Sequence, residues 1–424
     1  MKQRLYWSPS IGKELAFKNE ADYAQAFQEI FFKAVGDRIQ SPHPISVLLS
    51  GGLDSSGIVA VAAKILEKQN RELHTFSAVL PDAHDAVFRD ERYFINQFRS
   101  FPNVKINYVT APNQGFFSTL TTSQPAWESP RRTSRYYLYE AFNREVAQIG
   151  SKVILEGVFG ELGATFYGSG AYAEMFLRGQ WFGLWREFNA RKKTVGASVA
   201  RSFLAQVVRP LLSPYLNVYR NDEYNFFRVA DHHCLQPDFA DYLYTMVLPR
   251  REELKPYMNP LRPNHRENQF NAIKFLHHKD YSSPHLGENI YRYPFKDKRL
   301  LEFCLNLPLD LKVKNGYNRY SIRAGLDKIL PPEIQWRTTK QPFSPDYMRR
   351  YKQQQPQVLA YLEDIRANDP VRTLIDVEKL KKWAKMPVAE NEQRKDVITI
   401  AMHGLPDGIY LIHFLRRFSD FKVN

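Results

Sequence analysis

A short, mostly apolar run that leads into a glycine-rich loop is the feature that most constrains this chain. Residues 45–49 have the composition of a buried strand, and the loop 50–56 (SGGLDSS) follows them directly. Residues 56–68 then place apolar side chains at helical spacing, and 74–80 form a second apolar run. Strand–loop–helix–strand units of this kind build parallel sheets covered by helices, so the sequence predicts an α/β fold.

The same pattern occurs again near residue 150. An aromatic helical stretch at 136–149 leads through Gly150 into the apolar run 152–155, and an amphipathic helix is predicted over 20–39. After about residue 165 the chain is rich in helical patterns. We therefore expect three regions, namely an N-terminal helical lead-in (1–40), an α/β core (41–165) and a mostly helical remainder (166–424).

The loop 50–56 has the composition of a phosphate-binding site. Gly51 and Gly52 allow close approach of the backbone to a phosphate, and the amide groups at the start of the next helix point at the anion. The carboxylate of Asp54 would repel a bare phosphate, so its natural partner is a Mg²⁺ ion that the phosphates share. The kinase-type loop GxxxxGK[ST] is missing here. A loop that grips the β- and γ-phosphates as one unit prepares pyrophosphate as a leaving group.

The bulk composition excludes several classes of protein. The 424 residues carry a net charge of +14, but the basic residues are spread along the chain and do not indicate nucleic-acid binding. No apolar run is long enough to span a membrane, and the N-terminus lacks an apolar signal core. Cys234 and Cys304 stand far apart, which argues against a disulfide framework and a zinc site. We expect a cytoplasmic protein without a nucleic-acid or membrane partner.

Five segments carry a resemblance to a known family. The loop 50–56 matches SGGxDS, the signature of the ATP pyrophosphatase (PP-loop) family. The four later segments resemble motifs of the asparagine synthetase family in the same order. They are 155–162 (LEGVFGEL, for L-[ST]-G-[ED]-G-[GSA]-D-E), 288–297 (for E-x-R-x-P-F-L-D), 319–331 (for K/R-x-x-[IL]-R-x-A-x-x-x-x-LP) and 336–343 (WRTTKQPF, for W-R-x-K-x-x-F with one extra residue).

This resemblance implies a PP-loop fold of the adenine nucleotide alpha hydrolase type, with ATP and Mg²⁺ as cofactors. Glu161 stands where the family has its second Mg²⁺-binding aspartate, and Lys340 falls on the lysine that neutralises charge on an acyl-adenylate. Backbone contacts to AMP are implied for Leu49, Ala78 and Gly157. Pyrophosphate and Mg²⁺ would be held by Ser50, Gly51, Gly52, Asp54, Ser55 and Ser56.

The implied activity is that of a carbon–nitrogen ligase, which adenylates a carboxylate and transfers it to ammonia or an amine with release of AMP and pyrophosphate. Two departures from the family pattern limit this expectation. Val158 stands where the family has an acidic or tyrosine residue that handles protons, and Phe159 replaces a glycine. The chain also begins near the expected junction with a glutaminase domain and has Lys2 in place of a cysteine nucleophile. We therefore expect no glutaminase domain.

Three alternatives stay open. Residues 178–216 and 234–240 look more like the peptide-tailoring relatives, which include lasso-peptide cyclases that form an isopeptide bond. Val158 and Glu161 also suit a pseudoenzyme that binds ATP without turnover. A tRNA-modifying PP-loop enzyme is disfavoured because the motifs at 288–343 belong to the amide-forming branch. The carboxylate substrate would be aspartate or a peptide side chain, and the partner would be a separate glutaminase or a precursor peptide.

Overall fold

A parallel five-stranded sheet organises the first half of the chain in the computed structural model, which describes residues 6–122, 133–212, 233–247, 262–278 and 289–417. The strand order is β3-β2-β1-β4-β5. Because β2 and β4 lie on opposite sides of β1, the order reverses there, and ligands of open α/β sheets bind at the carboxyl ends of strands at such a point. The strands are β1 (Ile45–Leu48), β2 (Leu73–Ala78), β3 (Val104–Val109), β4 (Val153–Leu155) and β5 (Ile290–Arg292).

Helices cover both faces of this sheet, which confirms the α/β prediction. α1 (Glu20–Gly36) and α2 (Leu53–Glu67) pack with Val47 and Leu155 on one face. α5 (Tyr136–Gln148) packs on the other face. The two short helices that precede α5 are α3 (Arg92–Ile95) and α4 (Thr119–Thr122).

The sequence analysis missed the two edge strands, β3 and β5. Only the two ends of β3 are buried, and its four middle residues, 105–108, are partly or fully exposed and include Lys105, Asn107 and Tyr108. β5 is only three residues long. Edge strands bury less apolar surface than central strands, so their sequences lack the continuous apolar run that marks a buried parallel strand. The three interior runs, at 45–49, 74–80 and 152–155, are confirmed as strands.

Helices make up most of the described residues after β4, which confirms the prediction of a mostly helical C-terminal part. A short antiparallel pair, β6 (Val313–Lys314) and β7 (Tyr317–Asn318), interrupts them. Among the residues described before β5, the α-helices are α6 (Ala171–Leu177), α7 (Trp181–Val195), α8 (Val199–Phe203), α9 (Pro237–Val247) and α10 (His265–His278). After β5 they are α11 (Lys298–Leu305), α12 (Tyr320–Gly325), α13 (Pro332–Gln335), α14 (Tyr347–Glu363), α15 (Val377–Ala384), α16 (Lys395–Thr399) and α17 (Leu405–Leu415).

The two largest of the four hydrophobic clusters among the described residues join most of the helices. The larger one joins the sheet to α1, α2, α11 and α12, and it includes Phe27, Phe31 and Phe295. α1 therefore packs directly on the core of the sheet. The second cluster joins α14, α15 and the C-terminal helices around Tyr351 and Tyr410. Glu288 of the predicted motif 288–297 and residues 213–216 lie outside the described residues.

The sequence analysis predicted no run long enough to span a membrane, but one helix among the described residues, Lys395–Leu415, passes that test by length and composition alone. Within its most apolar window, 56% is buried inside the protein. Leu405, Ile409 and Ile412 of this helix belong to the second cluster and are fully buried. Packing of this kind is typical of a core helix.

Candidate functional site

Hydrogen bonds between two of its own serines stabilise the loop that connects β1 to α2. Ser50 N–H donates to Ser55 Oγ at 3.0 Å, and the two hydroxyl oxygens are also 3.0 Å apart. Gly51 adopts a φ of 69°, a left-handed conformation that favours glycine. Ser56 is fully buried, and its hydroxyl has no hydrogen-bond partner within the described part of the chain. A bound oxyanion would satisfy such a donor.

The segment after β4 packs against the start of α2. A Cβ atom added to Gly157 would lie 2.9 Å from Ser55 N, and one added to Gly160 would overlap Asp54 Oδ1. Both glycines therefore permit a close approach of two backbone segments that any larger residue would separate. Thr165 Oγ1 donates a hydrogen bond to Asp54 Oδ1 and orients that carboxylate.

A second carboxylate, Glu161, lies beside Asp54. It belongs to a short 3₁₀ turn, Gly160–Leu162, and keeps a solvent-exposed face. Partial burial raises the pKa of Glu161, and the negative charge of Asp54 adds to this shift, while Arg319 and Lys340 oppose it. Asp54, Glu161, Arg319 and Lys340 are thus near enough to influence one another electrostatically.

The sequence analysis placed Arg319 in a family motif but gave it no role. Its guanidinium stacks on the ring of Tyr167, with 3.9 Å between Cζ and the ring centroid. Burial lowers the pKa of Arg319, and the charges of Asp54 and Glu161 oppose that shift. The structure therefore adds a positioned cation to the predicted site.

Asp54 and Glu161 suit a magnesium ion that is shared with phosphates. Both offer hard oxygen donors, and Mg²⁺ in nucleotide sites commonly takes one or two carboxylates together with phosphate oxygens. Within the described ranges, no group of three or more His, Cys, Asp or Glu side chains forms a complete metal cage. Two carboxylates without further protein ligands fit a Mg²⁺ ion that binds together with the phosphates of a nucleotide.

Lys340 reaches the loop from the C-terminal half of the chain. Its Nζ lies 3.2 Å from the position of a Cβ atom added to Gly52, so the ammonium packs over the second glycine of the loop. Arg337 holds this segment in place through Glu91, with Nη2 donating to Oε1 at 2.9 Å and Nη1 donating to Gly51 O at 2.8 Å. Sequence reasoning missed Glu91, which lies in no recognised motif.

The three residues predicted to contact AMP lie at the carboxyl ends of neighbouring strands. Leu49 follows β1 and is buried, with its N–H donating to Phe76 O at 2.9 Å. Ala78 ends β2 and packs against the hydrophobic cluster that includes Tyr137 and Phe142, and Gly157 lies just beyond β4. The predicted nucleotide contacts therefore lie side by side at the carboxyl ends of β1, β2 and β4, next to the loop.

Of the two departures from the family motif, Phe159 is buried and Val158 is partly buried. Phe159 adopts a φ of 76°, where glycine is favoured, and its ring packs edge-on against Tyr293 at 5.2 Å. Lys296 Nζ lies 4.4 Å from the centroid of the same ring. Val158 is partly buried against the larger cluster. Neither side chain can transfer a proton.

The fold and the loop define an α/β protein of the PP-loop synthetase type. The family model for asparagine synthase matches residues 26–405, so the chain belongs to the asparagine synthase family. It is also similar to "Asparagine synthetase [glutamine-hydrolyzing] 3" of Bacillus subtilis (strain 168), with 24% identity over 386 residues. That match covers 88% of this chain and 56% of the relative's length. The resemblance to the asparagine synthetase family is confirmed, and that to its lasso-cyclase branch stays a prediction.

Proposed function

We propose that this protein is an ATP-dependent ligase that adenylates a carboxylate and forms an amide bond, with release of AMP and pyrophosphate. The observation that carries the proposal is the convergence of two carboxylates and two cations at the phosphate loop, namely Asp54, Glu161, Arg319 and Lys340. This arrangement suits a reaction in which negative charge moves between phosphates and an acyl group.

Each group has a distinct role in this proposal. The loop amides and the hydroxyls of Ser50, Ser55 and Ser56 hold the β- and γ-phosphates. Asp54, oriented by Thr165, and Glu161 are the residues that would hold Mg²⁺. When bound there, Mg²⁺ neutralises charge on the pyrophosphate. Lys340 stabilises the charge that develops on the α-phosphate, because a compact ammonium beside Gly52 is close to the loop.

Two pairs of acyl and amine substrates are compatible with this proposal. Aspartate with ammonia is the pair suggested by the name of the Bacillus subtilis relative. A peptide side chain with a peptide amine is the pair that a lasso-type cyclase would use. Incubation with ATP and each pair, followed by mass spectrometry of the product, distinguishes the two. We place the protein in the cytoplasm, where ATP is available.

Pyrophosphate exchange into ATP tests the adenylation step directly. We expect exchange with the correct carboxylate, and we expect Asp54→Asn to lower its rate by about 10²-fold or more, because a metal ligand at developing charge is lost. Asp310→Asn is the matched control, since Asp310 is exposed in a 3₁₀ turn of the C-terminal half. Accumulation of ADP in place of AMP would refute the mechanism. ATP binding without turnover, whatever carboxylate is offered, would identify a pseudoenzyme.

A further inference from the structure

Amide formation needs an acceptor for the proton that the attacking amine releases. Val158 occupies the position at which the family has an acidic or tyrosine residue, and valine cannot accept a proton. If the protein is the ligase proposed above, another group near the loop performs this step. The required group is a carboxylate at the carboxyl ends of the strands that is not assigned to Mg²⁺.

Glu156 meets this description. It follows β4 directly and precedes Gly157, which packs against the backbone of Ser55. Its N–H donates to Arg292 O at 3.1 Å, which continues the pairing of β4 with β5. The side chain is buried, with a residual exposure of 8%. Glu156 is therefore a rigidly placed acid at the carboxyl end of a central strand.

Tyr139 of α5 holds this carboxylate in position. Its hydroxyl donates to Glu156 Oε1 at 2.7 Å, and its ring lies 6.4 Å from that of Phe343, three residues beyond Lys340. Within the described part of the chain, Tyr139 is the only side chain that hydrogen-bonds the Glu156 carboxylate. The second oxygen is thus available to a substrate. Glu156 thus directly precedes the glycine that packs on the loop, and Tyr139 contacts the segment that carries Lys340.

The remaining neighbours do not compete for the proton. On the β5 side, burial and the charge of Glu156 raise the pKa of Tyr291, and Asn143 Nδ2 donates to its hydroxyl oxygen at 2.9 Å. Arg292 directs its guanidinium to Arg38 O and Gln40 O. Burial raises the pKa of Glu156 to about 7, opposed by the hydrogen bond from Tyr139. A carboxylate with this pKa accepts a proton far more readily near neutral pH than an ordinary glutamate does.

We propose that Glu156 accepts the proton released when the amine attacks the acyl-adenylate, and that Tyr139 is its positioning residue. The amine lone pair forms the new C–N bond, and the bond between the acyl carbon and the AMP oxygen breaks with its electron pair leaving on AMP. One amine proton passes to the Glu156 carboxylate, which later returns it to water. The glutamate supplies the basic group that Val158 lacks.

Adenylation and amide formation can be measured separately, and only amide formation should depend on Glu156. In Glu156→Gln, pyrophosphate exchange should stay within about threefold of the parent, while amide formation should fall by about 10²-fold, the usual contribution of a positioned base. Glu145→Gln on α5 is the matched control and should retain both rates. Retention of amide formation by Glu156→Gln would overturn the proposal, and so would loss of both rates in a folded variant. A parent without exchange would instead refute the proposed function.

The pH profile gives a second, independent test. The rate of amide formation by the parent should rise with pH through a midpoint of about 7, as Glu156 ionises. Tyr139→Phe removes a hydrogen bond that lowers this pKa, so the midpoint should move to higher pH. An unchanged midpoint in Tyr139→Phe contradicts the assignment even if Glu156→Gln fails to fold.

Discussion

Arg337 and Glu91 form a two-point ion pair that connects the C-terminal half of the chain to the phosphate loop. Both side chains are at most 8% exposed. Arg337 also donates to Gly51 O, and its guanidinium lies 3.5 Å from the ring centroid of Phe94. Gln341 N–H donates to Glu91 Oε1 at 2.7 Å. Lys340, between these anchors, therefore depends on Glu91 for its place over Gly52.

Removing the charge of Glu91 should destabilise the protein and misplace Lys340. We expect Glu91→Gln to lower the free energy of unfolding by about 3 kcal/mol, because Arg337 would be left buried without its counter-charge. The measurement is urea unfolding, with pyrophosphate exchange as the activity readout. Glu378→Gln removes an exposed partner of Arg372 and should leave the free energy of unfolding nearly unchanged, because exposed ion pairs contribute little to stability. Equal effects of the two substitutions would contradict a special role for Glu91.

Lys340 itself should matter for turnover and little for nucleotide binding. We expect Lys340→Met to retain nearly full ATP affinity by calorimetry and to lower AMP release by roughly 10²- to 10³-fold, because one preorganised charge-stabilising group is lost. Lys385→Met, at an exposed lysine near the end of α15, is the control and should leave both quantities unchanged. Equal AMP release by the Lys340 variant and the parent would remove this residue from the site.

Phe159 combines buried packing with an unfavourable backbone conformation. Both Phe159→Ala and Phe159→Gly should be less stable than the parent by about 3 kcal/mol or more, because the buried ring is lost. The glycine variant should be the more stable of the two by about 1 kcal/mol, since glycine tolerates a φ of 76°. Thermal and urea unfolding of both variants measure this difference.

The matched pair for this comparison is Phe98, a fully buried phenylalanine that is not among the residues with positive φ. There the alanine variant should be more stable than the glycine variant, because glycine loses more conformational freedom on folding. The same order at both positions would show that the backbone at Phe159 carries no strain.

Asp297 should make stability depend on pH in the acid range. Burial opposes the shift, but hydrogen bonds from Arg299 and Arg38 lower the pKa of Asp297 from 3.8 to about 2. Because the folded pKa lies below the unfolded one, this stabilisation is complete above about pH 4 and is lost as the pH falls through about 2. Asp297→Asn should therefore cost about 2 kcal/mol at pH 7, and its difference from the parent should shrink between pH 4 and pH 2.

Urea unfolding at several pH values checks this prediction, with Asp310→Asn as the control. If the difference in stability between Asp297→Asn and the parent stays constant down to pH 2, the arginine partners do not lower the pKa of Asp297. Asp297 also accepts a hydrogen bond from Arg299 N–H at the start of α11. Asparagine caps a helix about as well as aspartate, so this bond should not contribute to the difference between Asp297→Asn and the parent.

Local sequence determined the loop and the interior strands of this protein. The loop 50–56 places glycines and serines between an apolar run and a helical pattern, and each of these signals depends only on residues that are close in the chain. The strands at 45–49, 74–80 and 152–155 were predictable for the same reason, because strands buried on both faces are continuously apolar. The family motifs likewise pointed to Asp54, Glu161 and Lys340 as one site.

Tertiary structure alone decided which distant groups meet at that site. Glu91 and Arg337 are joined by packing, and neither the spacing nor the composition around Glu91 indicates its partner. Glutamate usually lies at the protein surface, and nothing in the sequence around Glu156 indicates that it is buried. Its burial after β4, against Tyr139 of α5, raises its pKa. Desolvation and charge–charge interactions depend on distances in space, which local sequence patterns do not encode.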